Sequence, residues 1–242
     1  MADYLNGLRE KIAPATVNRY HAVLKSIFNR AIEWDEFSGP NPAARVRMMQ
    51  VPGHRLRFLS KEEMHRLLEA CHPRLYPVVV CALMTGMRKA EILGLDWENT
   101  DIEHDVIYVL KSKSGRPREV LIAPQLKEVL VSLRPRAKGP VFELPDIMLR
   151  RFFEKALKDS GIANFRFHDL RHTFASHYIM NTGDLPALQL ALGHASFAMT
   201  QRYAHLSKSH LRRNLETFSK QMVTIWSQTG VLAPAGKVEK CL

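Results

Sequence analysis

The chain has 242 residues, 46% of them apolar and 24% charged, proportions that exclude wholesale disorder and fibrous architecture. Its 35 Lys and Arg against 24 Asp and Glu leave a formal net charge of +11, which suits a polyanionic partner, nucleic acid above all. The longest charge-free apolar run, Leu75–Met87, is 13 residues, short of the ~20 that span a bilayer, so no membrane association is expected.

The opening MADYLNGLREK shows no basic stretch followed by an apolar one, and Cys71, Cys81 and Cys241 have no metal-ligand spacing. Both features read as a cytoplasmic protein with reduced thiols. Residues Thr16 to Trp34 place Val17, Tyr20, Val23, Leu24, Ile27, Phe28, Ala31 and Ile32 on one helical face. Ser38-Gly39-Pro40-Asn41-Pro42 then breaks the helix. Up to Arg57 there are nine Lys or Arg and five Asp or Glu, a local charge of +4. One long helix with a short preceding segment is thin for an independent core. Residues 1–50 are therefore expected to lean on the rest of the chain, on DNA, or on residues ahead of them.

Residues 51–57 read as a basic linker around Pro52-Gly53. Ser60-Lys61-Glu62-Glu63 offers a capping box and opens a second domain, expected over 58–228. Helices are expected at about 61–71, 74–85 and 88–96. Val106–Leu110 and Arg118–Ile122 are short β-type runs joined by a turn at 112–117. Further helices are expected at about 124–133, 146–159, 168–181, 185–192, 197–204 and 208–227, followed by a loose tail over 229–242. The expected fold class is mainly α with a small antiparallel β-sheet, α+β.

Four segments carry polar residues that helix interiors do not require. In TGMRKAEILGL, Gly86 can end one helix and Arg88 open the next. A cation is disfavoured at a helix N-terminus, where an anion is welcome. Arg88 is thus either part of a phosphate site or an arginine paired with Glu91. The hairpin tip gathers Lys111, Lys113, Arg116 and Arg118, either for a DNA groove or as a solubilising turn. In HDLRHTFASH, His168 and Arg171 are three apart and share a helical face. An imidazole beside a bidentate cation suits phosphoryl transfer. His172 and His177 fall at other angles and read as packing or surface residues. In LGHAS and TQRYAHL, Tyr203 follows His194 by nine residues; alone, it reads as a core or rim residue of a helix.

The strings TGMRKAEILGL, LKSKSGRPREV, HDLRHTFAS, LGHAS and TQRYAHL stand together in this order, with His168 and His194 26 positions apart. In this the chain resembles the tyrosine recombinases, or phage integrases, from about Phe58 to Leu206 and more weakly back to Thr16. WDEFSGPNPAARV is similar to the linker between that family's two domains. The resemblance implies a site-specific DNA recombinase that cleaves and rejoins strands through a 3′-phosphotyrosine, without metal or cofactor. Arg88 and Arg171 would clamp the scissile phosphate, with His194 as a further donor. Lys113 would protonate the departing 5′-oxygen, His168 would take the tyrosyl proton, and Tyr203 would be the nucleophile. Glu91 would be a structural partner.

The chemistry agrees with those roles, because nearby cations favour the phenolate and fixed donors stabilise charge developing on phosphate. The implied partners are duplex DNA with inverted half-sites and a homotetramer on two DNA sites, monomeric in free solution, with accessory DNA-bending proteins compatible. Fewer than 60 residues precede the linker, short for the family's helical DNA-binding domain, so the sequence is expected to start inside it. Two other readings stay open: a type IB topoisomerase-like relaxing enzyme, and a DNA-binding regulator with a dead site. The intact set of six residues argues against the regulator.

Overall fold

The computed structural model describes residues 2–51, 56–110 and 117–229. Most of the basic hairpin tip, Lys113 included, and the tail from 230 lie outside the described residues. The chain divides into two compact units, Met1–Arg55 and Leu56–Leu242.

The first unit pairs α1 (Ala2–Arg9) with α2 (Pro14–Glu33). Pro14 starts α2 because its fixed φ suits the first helical turn. The expected apolar face of α2 is only partly inward. Val17 is buried, but Tyr20, Val23 and Ile27 are 48%, 57% and 55% exposed. The inner positions go instead to Asn18 and His21, which receive the segment returning after the Pro40-Asn41-Pro42 break. Asn18 Nδ2 donates to Met49 O at 2.9 Å, and Met49 N donates to Asn18 Oδ1 at 2.8 Å. His21 Nε2 meets Ala43 O at 2.7 Å, and Asn41 Nδ2 donates to Lys25 O at 2.9 Å. An irregular segment must find partners for its peptide groups, and polar side chains on the helix supply them.

The second unit opens at the expected capping box. Glu63 N donates to Ser60 Oγ at 3.1 Å, and Ser60 N donates to Glu63 Oε2 at 3.0 Å. This starts α3 (Lys61–Glu69), which is followed by α4 (Tyr76–Thr85) and α5 (Lys89–Leu93). The middle of α4 is buried, with Val78, Val79, Val80, Cys81 and Ala82 in the core. Each such large aliphatic side chain contributes about 1.5–3 kcal/mol on burial. The α5 helix stops short of the expected residue 96, where Gly94 caps it.

The sheet has three antiparallel strands in the order β1 (Thr100–Asp101), β2 (Val106–Val109) and β3 (Arg118–Leu121). The two expected strands are present; the two-residue β1 is too short to leave a periodic signal. The register pairs Val109 with Arg118 and Ile107 with Val120. Paired residues share a face, and Val109, Ile107 and Val120 are buried, so Arg118 points inward.

The remaining elements are α6 (Pro124–Ser132), α7 (Asp146–Asp159), α8 (Asp169–Thr182), α9 (Leu185–Leu192), α10 (Phe197–Gln201) and α11 (Lys208–Thr229). Buried side chains of α4, α6, α7 and the sheet form the main core. A smaller cluster of Ala175, Ile179, Leu188, Leu192 and Tyr203 lies under the end of α8 and α9. The expected helix at 197–204 ends early, and Tyr203 stands between α10 and a 3₁₀ turn at Ala204–Ser207. Bonds from Tyr203 N to Thr200 O and from Leu206 N to Tyr203 O mark this tighter winding. Among the described residues, no helix is long and apolar enough to cross a membrane.

Candidate active site

Gly86 ends α4 at φ 62°, and a Cβ there would lie 2.4 Å from Phe174 Cδ1 and 2.8 Å from Leu192 Cδ2. Only glycine meets both demands. Its carbonyl accepts Arg171 Nη1 at 2.7 Å, while Leu192 O, at the end of α9, accepts Arg171 Nη2 at 2.8 Å. Arg171 is thus held by two helix C-termini, whose free carbonyls suit a cation. It is only 4% exposed. Burial first, and the Arg88 charge second, lower its pKa to about 10, so it stays charged at neutral pH. Both bonded partners are neutral carbonyls, which leaves its charge available to an anion.

Arg88 precedes α5 as its N-cap. Its Nη1 donates to Glu91 Oε1 at 2.8 Å and its main-chain N to Glu91 Oε2 at 2.9 Å. Arg118 reaches the same carboxylate, Nη1 to Oε1 at 3.1 Å and Nη2 to Oε2 at 2.8 Å. Burial would raise the Glu91 pKa, but the bonds from Arg118 and Arg88 outweigh it and hold the carboxyl down at about 2. Two guanidiniums on one carboxylate leave one positive charge over. Both readings of Arg88 therefore have a basis: it is paired, and the pair stays cationic. Arg118, expected at the basic hairpin tip, is turned inward by the strand register. It also packs on Gly193, where a Cβ would lie 2.7 Å from Arg118 Cδ.

His168 caps α8, three residues before Arg171. Burial, and then the Arg171 charge, lower its pKa. Its ring stands edge-on to His172, with centroids 5.2 Å apart. His172 is not the packing or surface residue expected, because its Nδ1 lies 2.6 Å from Tyr203 Oη. The signal was present in the sequence: His168 and His172 are four apart, a helical same-face spacing. His177 is the packing residue expected, with Nε2 at 2.8 Å from Leu59 O.

His194 follows the left-handed Gly193, and its Nδ1 meets buried Thr200 Oγ1 at 2.8 Å, which fixes the ring. Burial, followed by the Arg171 and Arg88 charges, pushes its pKa down to about 4. Tyr203 is 2% exposed. Burial raises its pKa, against the pull of Arg202 and Arg171. Five of the six expected site residues, Arg88, His168, Arg171, His194 and Tyr203, thus converge on one corner of the second unit. Their mutual charges act on one another. Lys113 lies outside the described residues. Among those described, no group of three or more His, Cys, Asp or Glu could hold a metal ion.

The model of the phage integrase family matches residues 57–210, and that of the phage integrase N-terminal domain matches residues 3–50. The chain is 33% identical over 207 residues to a putative integrase of Pseudomonas phage Pf1, covering 83% of this chain and 60% of that protein. It is 31% identical over 230 residues to tyrosine recombinase XerC of Thermodesulfovibrio yellowstonii, covering 85% and 75% respectively. Among solved structures, the catalytic domain of bacteriophage HP1 integrase matches with a TM-score of 0.56 at 34% identity, over 66% of this chain and 94% of that one. The chain spans about 60% of the length of the phage integrases it matches.

Proposed function

The chain belongs to the phage integrase family, and from that premise we propose that it cuts and rejoins DNA strands at specific sites through a covalent bond between Tyr203 and a 3′-phosphate. The observation that carries this reading is the gathering of Arg88, Arg171, His168 and His194 around a buried tyrosine held by its hydroxyl. Attack by Tyr203 Oη on phosphorus forms an O–P bond and breaks the bond to the 5′-oxygen. Negative charge grows on the non-bridging oxygens as this happens. Arg171, fixed by two carbonyls, and Arg88, fixed by Glu91, supply cations that need no rearrangement when that charge appears. His194 supplies a further donor. Lys113 protonates the 5′-oxygen, a role taken from the resemblance, which also gives the tyrosyl proton to His168. The phosphotyrosine keeps the energy of the cleaved bond, so rejoining needs no nucleotide.

Duplex DNA with inverted half-sites is the proposed partner, in line with the net charge of +11. For assembly we propose a tetramer on two DNA sites. Leu211, Leu215 and Phe218 on α11 are each 58% exposed, an apolar stripe suited to a neighbouring protomer. Helix α11 follows Tyr203 after one 3₁₀ turn, so docking it would move the nucleophile. The test is a nicked duplex built from the inverted half-sites beside the gene, cut so that the short leaving strand diffuses away. The wild type should accumulate a protein–DNA adduct in excess EDTA, and Tyr203→Phe should bind the duplex without forming one. An equal adduct from Tyr203→Phe would remove the proposal.

A further inference from the structure

We infer that His172, rather than His168, receives the Tyr203 proton as the tyrosine attacks phosphorus, which makes His172 a further catalytic residue; the inference rests on the strand-transfer reading. A general base must lie within hydrogen-bond reach of the proton it removes, and His172 Nδ1 is 2.6 Å from Tyr203 Oη. The hydroxyl is buried, so its proton needs an acceptor inside the protein. Nδ1 fills that need when Nε2 carries the ring hydrogen. His172 sits inside α8, next to Arg171, so the acceptor and one phosphate-binding cation share a rigid helix.

The groups that act on His172 from its own helix are His168, Asp169 and Arg171; Arg202 acts from the segment carrying Tyr203. Burial foremost, then the His168 and Arg202 charges, keep the ring neutral, which is the form that accepts a proton. A phosphodiester bound at Arg88 and Arg171 adds a negative charge nearby and raises the proton affinity of an adjacent imidazole. The step balances. Tyr203 Oη bonds to phosphorus and its proton passes to His172 Nδ1, while the bond to the 5′-oxygen breaks and that oxygen takes a proton from Lys113. Rejoining reverses each transfer. His168 then acts through His172, against whose ring it stands edge-on.

Asparagine provides the discriminating substitution, because its Oδ1 can occupy the place of the Nδ1 acceptor but cannot hold the proton at neutral pH. His172→Asn should keep the wild-type melting temperature and DNA affinity yet form the adduct about 10²–10⁴-fold more slowly in a single turnover, the range of general-base catalysis. His172→Phe should be as slow and also melt lower, because the hydroxyl loses its partner. His168→Asn should lose less than His172→Asn. An adduct rate for His172→Asn within tenfold of wild type, or a deeper loss in His168→Asn, would overturn the inference. A wild-type chain that forms no adduct would remove the strand-transfer reading itself, an outcome distinct from either.

Discussion

Arg118 Nη2 donates to Glu91 Oε2 at 2.8 Å, joining the foot of β3 to the helix that Arg88 opens. The carboxylate side chain is 4% exposed and the Arg118 side chain 10%. Removing one partner of such a buried pair leaves a charge stranded, at a cost of about 3–5 kcal/mol. Glu91→Ala should therefore lower unfolding free energy by that order in urea titrations. Glu91→Gln combined with Arg118→Met should cost less than the sum of the two single changes. Additive losses would mean that the pair is not coupled.

Gly86→Ala asks a left-handed residue to carry a Cβ that Phe174 and Leu192 already exclude. The strain costs of order 1–3 kcal/mol, and the displaced carbonyl is one of the two that hold Arg171. The variant should melt lower and lose adduct formation further than its lost stability explains. An unchanged adduct rate would show that Arg171 does not depend on that carbonyl.

Stability should fall as the solution is acidified from about pH 6.5 to about 4. His172 and His194 are both pushed down to about 4 in the folded chain, against ~6.5 when unfolded. Between those values the unfolded state binds more protons, so stability is full above 6.5 and drains as pH falls. Glu63 and Glu91, both lowered to about 2, extend the loss below about pH 4.5. Urea midpoints measured from pH 8 to pH 4 should show the first stage of the fall. A flat profile down to pH 5 would contradict the histidine shifts.

The α11 stripe separates packing from assembly. Leu211, Leu215 and Phe218 are mostly exposed, so replacing all three with Ser should change stability by no more than about 0.5 kcal/mol each. If the stripe joins protomers, the variant should still bind one DNA site but fail to pair two, as read by gel mobility. Normal pairing would assign the stripe no part in assembly.

Much of the second unit was legible because its elements are long or carry their own punctuation. The Ser60–Glu63 box, Gly86 and Gly193 all sit where the chain turns. The misses are local. Asn18 and His21 displaced the apolar face of α2 because the returning segment needed hydrogen-bond partners more than burial. The basic neighbours of Arg118 suggest a hairpin tip, whereas its direction follows from the pairing with Val109. His172 lies one helical turn from His168, but its partner, Tyr203, is 31 residues away. No spacing rule reports a contact of that range.

Tyr203 as the attacking residue is checked by mapping the trapped protein–DNA adduct with tryptic digestion and mass spectrometry. Cleavage after Arg202 and Lys208 releases the peptide YAHLSK, whose single tyrosine is Tyr203. This peptide alone should carry the nucleotide mass, attached through a phosphate on the tyrosine. A nucleotide on any other peptide, or an adduct that survives Tyr203→Phe, would contradict it.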